Sequence, residues 1–303
     1  MNTCFRMARA ASTATCLFVL IFVFSLSTAA QTPRAKATRK PKPAPTSNLE
    51  KRFFLNILQD QRAIWTSPFH LHGTDKKWLA PLGLSTLALI TTDRYTSGEL
   101  VDHGDNLKRL RISKDVSRIG SLSATGGLAG ALYLTGRMTH NDRLRETGLL
   151  GAEALIDSNL VARALKTVSQ RQRPPVDNSS GEFFDGGSSF PSGHAVNAWS
   201  LATVIAQEYG HHRPLVRVGV YGVAAAISIS RYTGRNHFLS DALVGSAIGY
   251  GIGRYVYHKH HDTALDAGME KQNTARRSNL FPRIVPLYYP RAHVYGGMLS
   301  WNF

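Results

Sequence analysis

Apolar and polar positions alternate with a helical period over most of this 303-residue chain. From Leu49 onward, apolar residues recur at spacings of three and four, as on one face of an α-helix. Glycine and alanine stand within several of these segments, where helices would pack closely. The pattern predicts helices around Phe53 to Ile64 and over Trp78–Ile90, Ile119–Gly136, Asp142 to about Val168, Ala195–Tyr209, Leu215–Ser230 and Leu239–Tyr257.

The apolar segments are mostly too short to cross a bilayer. A spanning helix needs about twenty apolar residues, and of the predicted helices only Ile119–Gly136 approaches that length. Asn197, Gln207, Arg217 and Asp241 interrupt the others, as in buried core helices. We therefore expect a single all-α bundle that is soluble or peripheral, with an integral membrane domain as the alternative.

The N-terminus has the pattern of a secretory signal peptide. Arg6 and Arg9 precede an apolar run from Cys16 to Leu26, and the small residues of Ser27–Ala30 offer a cleavage site before Gln31. The sequence therefore predicts a signal peptide over residues 1–30 and export to the periplasm or envelope. Both cysteines of the chain lie within these residues, so the mature protein would contain no disulfide.

Composition divides the remainder into three parts. Residues 31–47 are rich in proline, alanine and basic residues, which predicts an extended linker. Residues 48–262 would form the helical domain, and residues 263–303 a tail. Within this tail, Tyr295, Gly297, Leu299, Trp301 and Phe303 alternate with other residues at a period of two, which predicts a short hairpin or edge strand.

The net charge favours anionic partners. The formal charge is +16, and it falls to +14 when Arg6 and Arg9 leave with the signal peptide. An exported protein of this charge is expected to meet phosphorylated lipids, small phosphates or an anionic membrane or envelope surface. Nucleic acid is not expected, because the basic residues are scattered and accompany no known nucleic-acid motif.

Three blocks in the second half of the chain contain the chemically informative residues. The first runs from Lys166 to Arg173-Pro174, the second is Phe190-Pro-Ser-Gly-His194, and the third runs from Ser230-Arg231 to Asp241. Lys166 and Arg173 are seven residues apart, which would place both on one face of a helix that Pro174-Pro175 terminates. Two cations on one face suit a phosphate dianion.

The second and third blocks suit the same ligand. Ser192 and Gly193 precede an apolar helix, and the N–H groups at the start of this helix form an anion site. His194 lies at the same helix start, beside the anion, where it can donate a proton. Arg231 closes another helix and adds a third cation. His237 and Asp241 are four residues apart, so the carboxylate can accept the Nδ1 proton and leave Nε2 free as a nucleophile.

Together the blocks resemble those of the type 2 phosphatidic acid phosphatase and vanadium haloperoxidase superfamily. The resemblance covers roughly Asp142 to Tyr257, and every specified position of the pattern is present. It implies an all-α bundle, no metal, a nucleophilic His237 oriented by Asp241, and protonation of the leaving oxygen by His194. It also implies that the phosphate is bound by Lys166, Arg173, Ser192, Gly193 and Arg231.

The function expected from this resemblance is an exported, metal-independent phosphatase that acts on phosphate monoesters or pyrophosphates, plausibly of lipids. No cofactor is expected, and vanadate would inhibit. Two alternatives remain open: a haloperoxidase in which His237 holds vanadate as a cofactor, and a catalytically silent envelope-binding protein. The substrate, the oligomeric state and the role of the tail are left open.

A second group of polar residues lies outside the three blocks. The tract from His258 to Asp262 contains three histidines and could bind a metal ion. It also lies at the end of a predicted helix, where positively charged side chains interact favourably with the helix dipole. The sequence favours this second interpretation.

Overall fold

Eight α-helices follow one another in the part of the chain that the structure describes. The structure is a computed structural model, and it describes residues 46–67, 76–102, 107–176, 180–210, 213–262, 265, 283–289 and 294–300. The predicted signal peptide and most of the predicted linker lie outside these residues. The helices are α1 (Thr46–Thr66), α2 (Lys76–Asp102), α3 (Leu107–Ile119), α4 (Leu122–Met138), α5 (Asp142–Ser169), α6 (Gly193–Gly210), α7 (Pro214–Thr233) and α8 (Leu239–His260).

The four helices from α5 to α8 were predicted to within a few residues, and the expectation of an all-α bundle is confirmed. Helix α4 covers the predicted segment Ile119–Gly136 except for its first three residues, of which Ile119 ends α3. The Ser121 side chain caps α4 by accepting a hydrogen bond from the Ala124 N–H at 3.2 Å. The helix α3 was not predicted, because its charged residues outnumber its apolar ones. Helix α1 begins at Thr46, inside the predicted linker.

Helix α6 lies at the centre of the bundle and packs against α5, α7 and α8. Its buried residues are distributed around the whole helix, as expected for a helix surrounded by others. Val204 of α6 packs with Leu150 of α5 and Val256 of α8 in one cluster of the core. A second cluster joins Leu201 of α6 to Leu155 of α5.

Three glycines of α8 allow it to approach α6 closely. Gly245, Gly249 and Gly253 are four residues apart and therefore lie along one face of the helix. A Cβ at any of them would lie closer than 3.0 Å to a backbone carbonyl oxygen of α6 or of Ser192, which directly precedes it. The two backbones are thus in contact, and this contact brings the N-terminal ends of α6 and α8 together.

The residues from Asp262 onward form a separate compact unit. Its strands, β1 (Arg283–Tyr289) and β2 (Val294–Ser300), pair antiparallel, with Tyr288 opposite Tyr295 and Ile284 opposite Leu299. The period of two found in the sequence therefore corresponds to a hairpin. Trp301 to Phe303 lie outside the described residues.

Among the described residues, no helix combines the length and the apolar character needed to cross a bilayer.

We predict that Gly249→Ala destabilises the protein, because the added methyl group would press on the α6 backbone. Overpacking of this kind costs about 1–3 kcal/mol in the free energy of unfolding. Gly251, on the same helix, is the matched control, since a Cβ there meets nothing within 4 Å. Gly251→Ala should instead stabilise the helix by up to about 1 kcal/mol. Urea denaturation measures the free energy of unfolding of each variant. Equal stabilities for the two variants would contradict the close contact between the backbones of α6 and α8.

Candidate functional site

His237 and Asp241 meet at the start of α8. The helix begins at Leu239, so Asp241 lies in its first turn, where a negative charge is stabilised by the helix dipole. The Phe238 N–H donates to Asp241 Oδ2 at 3.0 Å and fixes the carboxylate. His237 Nδ1 lies 3.5 Å from the same oxygen, within ion-pair distance. Both side chains are buried.

Two further groups hold the Asp241 carboxylate. The Ser189 hydroxyl donates to Oδ2 at 2.5 Å and lies 3.4 Å from His237 Nδ1. The Arg171 guanidinium donates to Oδ1 at 2.7 Å. Burial opposes ionisation of Asp241, but the contacts with His237, Arg171 and Ser189 outweigh it and lower its pKa. Asp241 therefore stays ionised and keeps Nδ1 of His237 directed toward it.

Arg171 connects this carboxylate to a second one. Its side chain is 1% exposed, and its Nη2 donates to Asp93 Oδ2 of α2 at 2.9 Å. The hydroxyl of Ser240 accepts a hydrogen bond from Arg171 Nη1 and donates to Asp93. The guanidinium also lies over the ring of Phe238, with its central carbon 4.2 Å from the ring centroid. Arg171 is thus fully paired and cannot move without disrupting Asp241.

Sequence reasoning missed all four of these supporting residues. Arg171 lies inside the first block, where only Lys166 and Arg173 were given roles. Asp93 is an acidic residue that follows an apolar segment of the same helix. This contrast was the one feature of the sequence that could have drawn attention to it. Ser189 directly precedes the second block and Ser240 lies inside the third, and neither of these common residues carried a signal of its own.

The predicted helical placement of Arg173 was wrong. Helix α5 ends at Ser169, because Gln170 takes a left-handed conformation with φ 43°. Arg173 lies beyond this end, and the following Pro174 disfavours a helical conformation for it. Lys166 does lie in the last turn of α5. The two residues nevertheless influence each other electrostatically, as do Arg173 and Arg231.

Lys166 also positions the second block. Its ammonium group donates to the carbonyl oxygens of Ser188 at 2.7 Å and Pro191 at 2.6 Å. These carbonyls belong to the segment that leads into α6. The lysine therefore places its charge beside the Pro-Ser-Gly-His block and stabilises the conformation of that block.

The second block forms the N-terminus of α6, as predicted. The helix begins at Gly193, so its first N–H groups have no partner within the helix. A Cβ at Gly193 would meet nothing within 4 Å, which leaves room for a ligand there. The buried Ser192 hydroxyl has no hydrogen-bond partner, while its N–H donates to the Asp241 carbonyl at 3.0 Å. A free buried hydroxyl beside free N–H groups suits a small anion.

Arg231 lies in the last turn of α7, as predicted, and is buried. Its Nη1 donates to the Ser117 hydroxyl of α3, whereas its Nε has no hydrogen-bond partner. Its carbonyl accepts from the N–H groups of Asn236 and His237 at 3.0 and 3.2 Å. Arg231 therefore adds a cation and also fixes the turn that carries His237.

The electrostatics of these residues indicate an anion site. Burial, followed by the charges of Arg231, His237, Arg173 and Lys166, lowers the pKa of His194 to about 4. Burial and the charge of Arg173 lower the pKa of Lys166 to about 8. Positive groups that depress each other's pKa values are stabilised by an anion placed among them.

The predicted site residues are therefore assembled from three separate blocks at one end of the bundle. The described residues contain two groups of side chains that could hold a metal ion, and neither includes any residue of this site.

Much of the assembled region matches the model of a known family. Residues 147–264 match the family model of the PAP2 superfamily, which supports the resemblance inferred from the three blocks. A lipid A 1-phosphatase from Porphyromonas gingivalis is 41% identical over 69 residues, which is 23% of this chain. The chain spans only 16% of the length of that relative.

Two solved structures are similar to part of this chain. One is a transmembrane PAP2-type phosphatidylglycerolphosphate phosphatase from Bacillus subtilis, with a TM-score of 0.47 and 22% sequence identity. The match covers 59% of this chain and 94% of the Bacillus subtilis chain. The other is LpxE from Aquifex aeolicus, with a TM-score of 0.42 and 19% identity, covering 54% and 93%.

We predict that Arg171→Lys lowers kcat for an aryl phosphate at least about tenfold and leaves KM nearly unchanged. Lysine keeps the charge but cannot bridge Asp93 and Asp241, so Asp241 loses its fixed position. Because Arg171 does not line the open space at Gly193, substrate binding should be preserved. Arg163→Lys, at an exposed position of α5, is the control. A kcat within twofold of the unmodified protein would contradict a positioning role for Arg171.

We also predict that sulfate binding takes up protons between about pH 5 and 6. Free His194 is mostly neutral there, since its pKa is about 4. A bound dianion offsets the neighbouring cations and raises that pKa, so affinity should increase as pH falls toward 5. Calorimetry in two buffers of different ionisation enthalpy measures the uptake, expected at up to about one proton per site. The proton uptake should decrease in His194→Ala. Equal uptake by this variant and the unmodified protein would show that His194 is not the group that takes up the proton.

Proposed function

We propose that this chain, whose residues 147–264 match the family model of the PAP2 superfamily, is a phosphatase that hydrolyses phosphate monoesters or pyrophosphates through a phosphohistidine. The observation that carries the proposal is the buried His237–Asp241 pair beside an open, cation-lined helix N-terminus. An imidazole with its Nδ1 held by a carboxylate presents Nε2 as a nucleophile. The surrounding cations match the charge of the group it would attack.

In the first step, His237 Nε2 attacks phosphorus, and the bond from phosphorus to the leaving oxygen breaks. Asp241 stabilises the positive charge that develops on the imidazole. Lys166, Arg173, Arg231 and the N–H groups at Gly193 stabilise the charge on the phosphoryl oxygens. His194, protonated once the dianion is bound, gives its proton to the leaving oxygen.

In the second step, water attacks phosphorus and the bond from phosphorus to nitrogen breaks. Neutral His194 accepts the proton of the water, and inorganic phosphate leaves. No residue of the site is needed as a metal ligand, since the three cationic side chains supply the positive charge. Vanadate should occupy the same position as a five-coordinate mimic and inhibit.

We propose a phosphorylated lipid as the substrate class. The relative from Porphyromonas gingivalis carries such an activity in its name. Helix α7 also presents apolar side chains to solvent, with Leu215, Val218 and Ile229 more than half exposed. The same helix ends beside the site at Arg231, so a lipid held along α7 would have its phosphate near His237. The signal pattern of residues 1–30 supports export and a periplasmic or envelope location.

The division of labour between the two histidines gives the sharpest test. His194→Ala should abolish hydrolysis of alkyl phosphates, because an alkoxide leaves poorly without a proton. An aryl phosphate leaves without that help, so the variant should still be phosphorylated, and the label should accumulate because water is not activated. Acid-quenched incubation with a radiolabelled aryl phosphate measures the label, which should be stable to base.

His237→Ala is the matched control and should show neither turnover nor label. Equal labelling of the two variants, or no label in His194→Ala, would show that His237 is not the nucleophile. A parallel comparison of phosphate release from a phospholipid monoester in vesicles and from a soluble sugar phosphate tests the substrate class. Faster release from the sugar phosphate would contradict the lipid proposal and leave the phosphatase proposal intact.

A further inference from the structure

A second polar cluster lies at the opposite end of α8 from the phosphatase site. Its members are Asp60 of α1, Glu153 of α5 and His260, the last residue of α8. The length of α8 between Asp241 and His260 is about 28 Å at 1.5 Å per residue. The cluster is therefore remote from His237 and has no part in the chemistry proposed there.

The three side chains converge through one imidazole nitrogen. His260 Nε2 lies 2.8 Å from Asp60 Oδ2 and 3.2 Å from Glu153 Oε1. Both carboxylates are almost fully buried, and the three ligand atoms lie within 4.8 Å of one another. Ligands about 2.0–2.1 Å from a tetrahedral metal are about 3.3 Å apart, so small adjustments would admit a cation.

Two buried carboxylate oxygens of this region accept no hydrogen bond. One is Glu153 Oε1, which faces His260, and the other is Oδ2 of Asp157, one helical turn further along α5. Asp157 is fully buried and receives a hydrogen bond from Gln61 only through its other oxygen and its backbone carbonyl. Buried carboxylate oxygens without a donor are costly, and a cation would satisfy them.

The buried carboxylates of the cluster outnumber the cations beside them, so without a metal at least one carboxyl group must hold a proton. Three buried carboxylates, of Asp60, Glu153 and Asp157, face one lysine, Lys259, and the imidazole of His260. Burial and the charge of Asp60 raise the pKa of Glu153 to about 9, and burial raises that of Asp157 to about 7. A divalent cation with neutral His260 and ionised carboxylates would bring the formal charge of the group to zero.

We propose that Asp60, Glu153 and His260 bind a divalent first-row transition-metal cation that joins α1, α5 and α8. Imidazole with carboxylates is a ligand set that suits Zn²⁺ and Mn²⁺. Asp60 binds through Oδ2, since its Oδ1 already accepts from Lys259 at 2.6 Å and Tyr255 at 3.2 Å. The role is structural, because the three ligands come from helices that the metal would hold together.

The neighbouring group of Glu146, Glu208 and His261 is a weaker candidate. Arg143 Nε lies 2.8 Å from Glu208 Oε1, and His261 Nδ1 lies 3.2 Å from Glu146 Oε1. Two cationic partners face two carboxylates here, whereas in the first cluster Lys259 and His260 face three. The proposal is therefore restricted to the first cluster.

The full chain, depleted of metal with a chelator and dialysed against excess Zn²⁺ or Mn²⁺, tests the proposal. Mass spectrometry of the bound metal should find about one ion per chain after removal of the excess. The unfolding temperature should rise by about 5–10 °C at a metal concentration of 100 times Kd. Less than a tenth of an equivalent of either metal, or no thermal shift, would overturn the proposal.

Variants separate this cluster from adventitious binding to the histidine tract. Glu153→Gln keeps the shape of the side chain and should weaken the metal at least about tenfold, as should His260→Ala. His258→Ala, at an exposed position two residues away, is the matched control and should bind normally. Equal loss in His258→Ala and His260→Ala would assign the metal to the surface tract. If His260→Ala does not fold, the comparison of Glu153→Gln with His258→Ala decides whether the metal binds the buried cluster or the surface tract.

The phosphatase proposal is tested separately. His237→Ala should bind the metal as the unmodified protein does, since the two sites are distant. Turnover measured well below the unfolding temperature should survive removal of the metal. Loss of turnover in EDTA at such a temperature, with the fold intact, would contradict a purely structural metal.

Discussion

The ion pairs of Arg171 with Asp93 and Asp241 are the interaction on which the site depends. All three side chains are buried, so each charge is stable only while its partners stay in place. Asp241 orients His237, and Asp93 belongs to α2, about 150 residues earlier in the chain. The orientation of His237 is thus coupled to the packing of α2 against α8. Removal of one partner would leave an unpaired buried charge.

Close packing of α6 and α8 brings the remaining groups to this network. The glycine face of α8 lets the two backbones touch, and Gly245, one turn beyond Asp241, lies against Ser192. The Ser192 N–H donates to the Asp241 carbonyl, so the turn before α6 is joined directly to the helix that carries Asp241. A larger side chain on this face would separate His194 from His237.

The two ends of the bundle have opposite electrostatic character. At the N-terminal ends of α6 and α8, burial and the charges of Arg231, Arg173 and Lys166 lower the pKa of His194. At the C-terminal end of α8, burial and the neighbouring carboxylate of Asp60 raise the pKa of Glu153. One end is therefore suited to an anion and the other to a cation, and a single helix connects them.

The order and spacing of residues were enough to establish the helical class, the ends of α5 to α8 and the three blocks. These features depend on local periodicity and on neighbours within one or two turns, such as His237 and Asp241. The helical placement of Arg173 failed, because Gln170 turns the chain before the prolines do. The partners Arg171, Asp93 and Ser189, and the cluster of Asp60, Glu153 and His260, were decided by the tertiary structure. Their contacts join residues far apart in the chain, and only burial makes a carboxylate or guanidinium require such a partner.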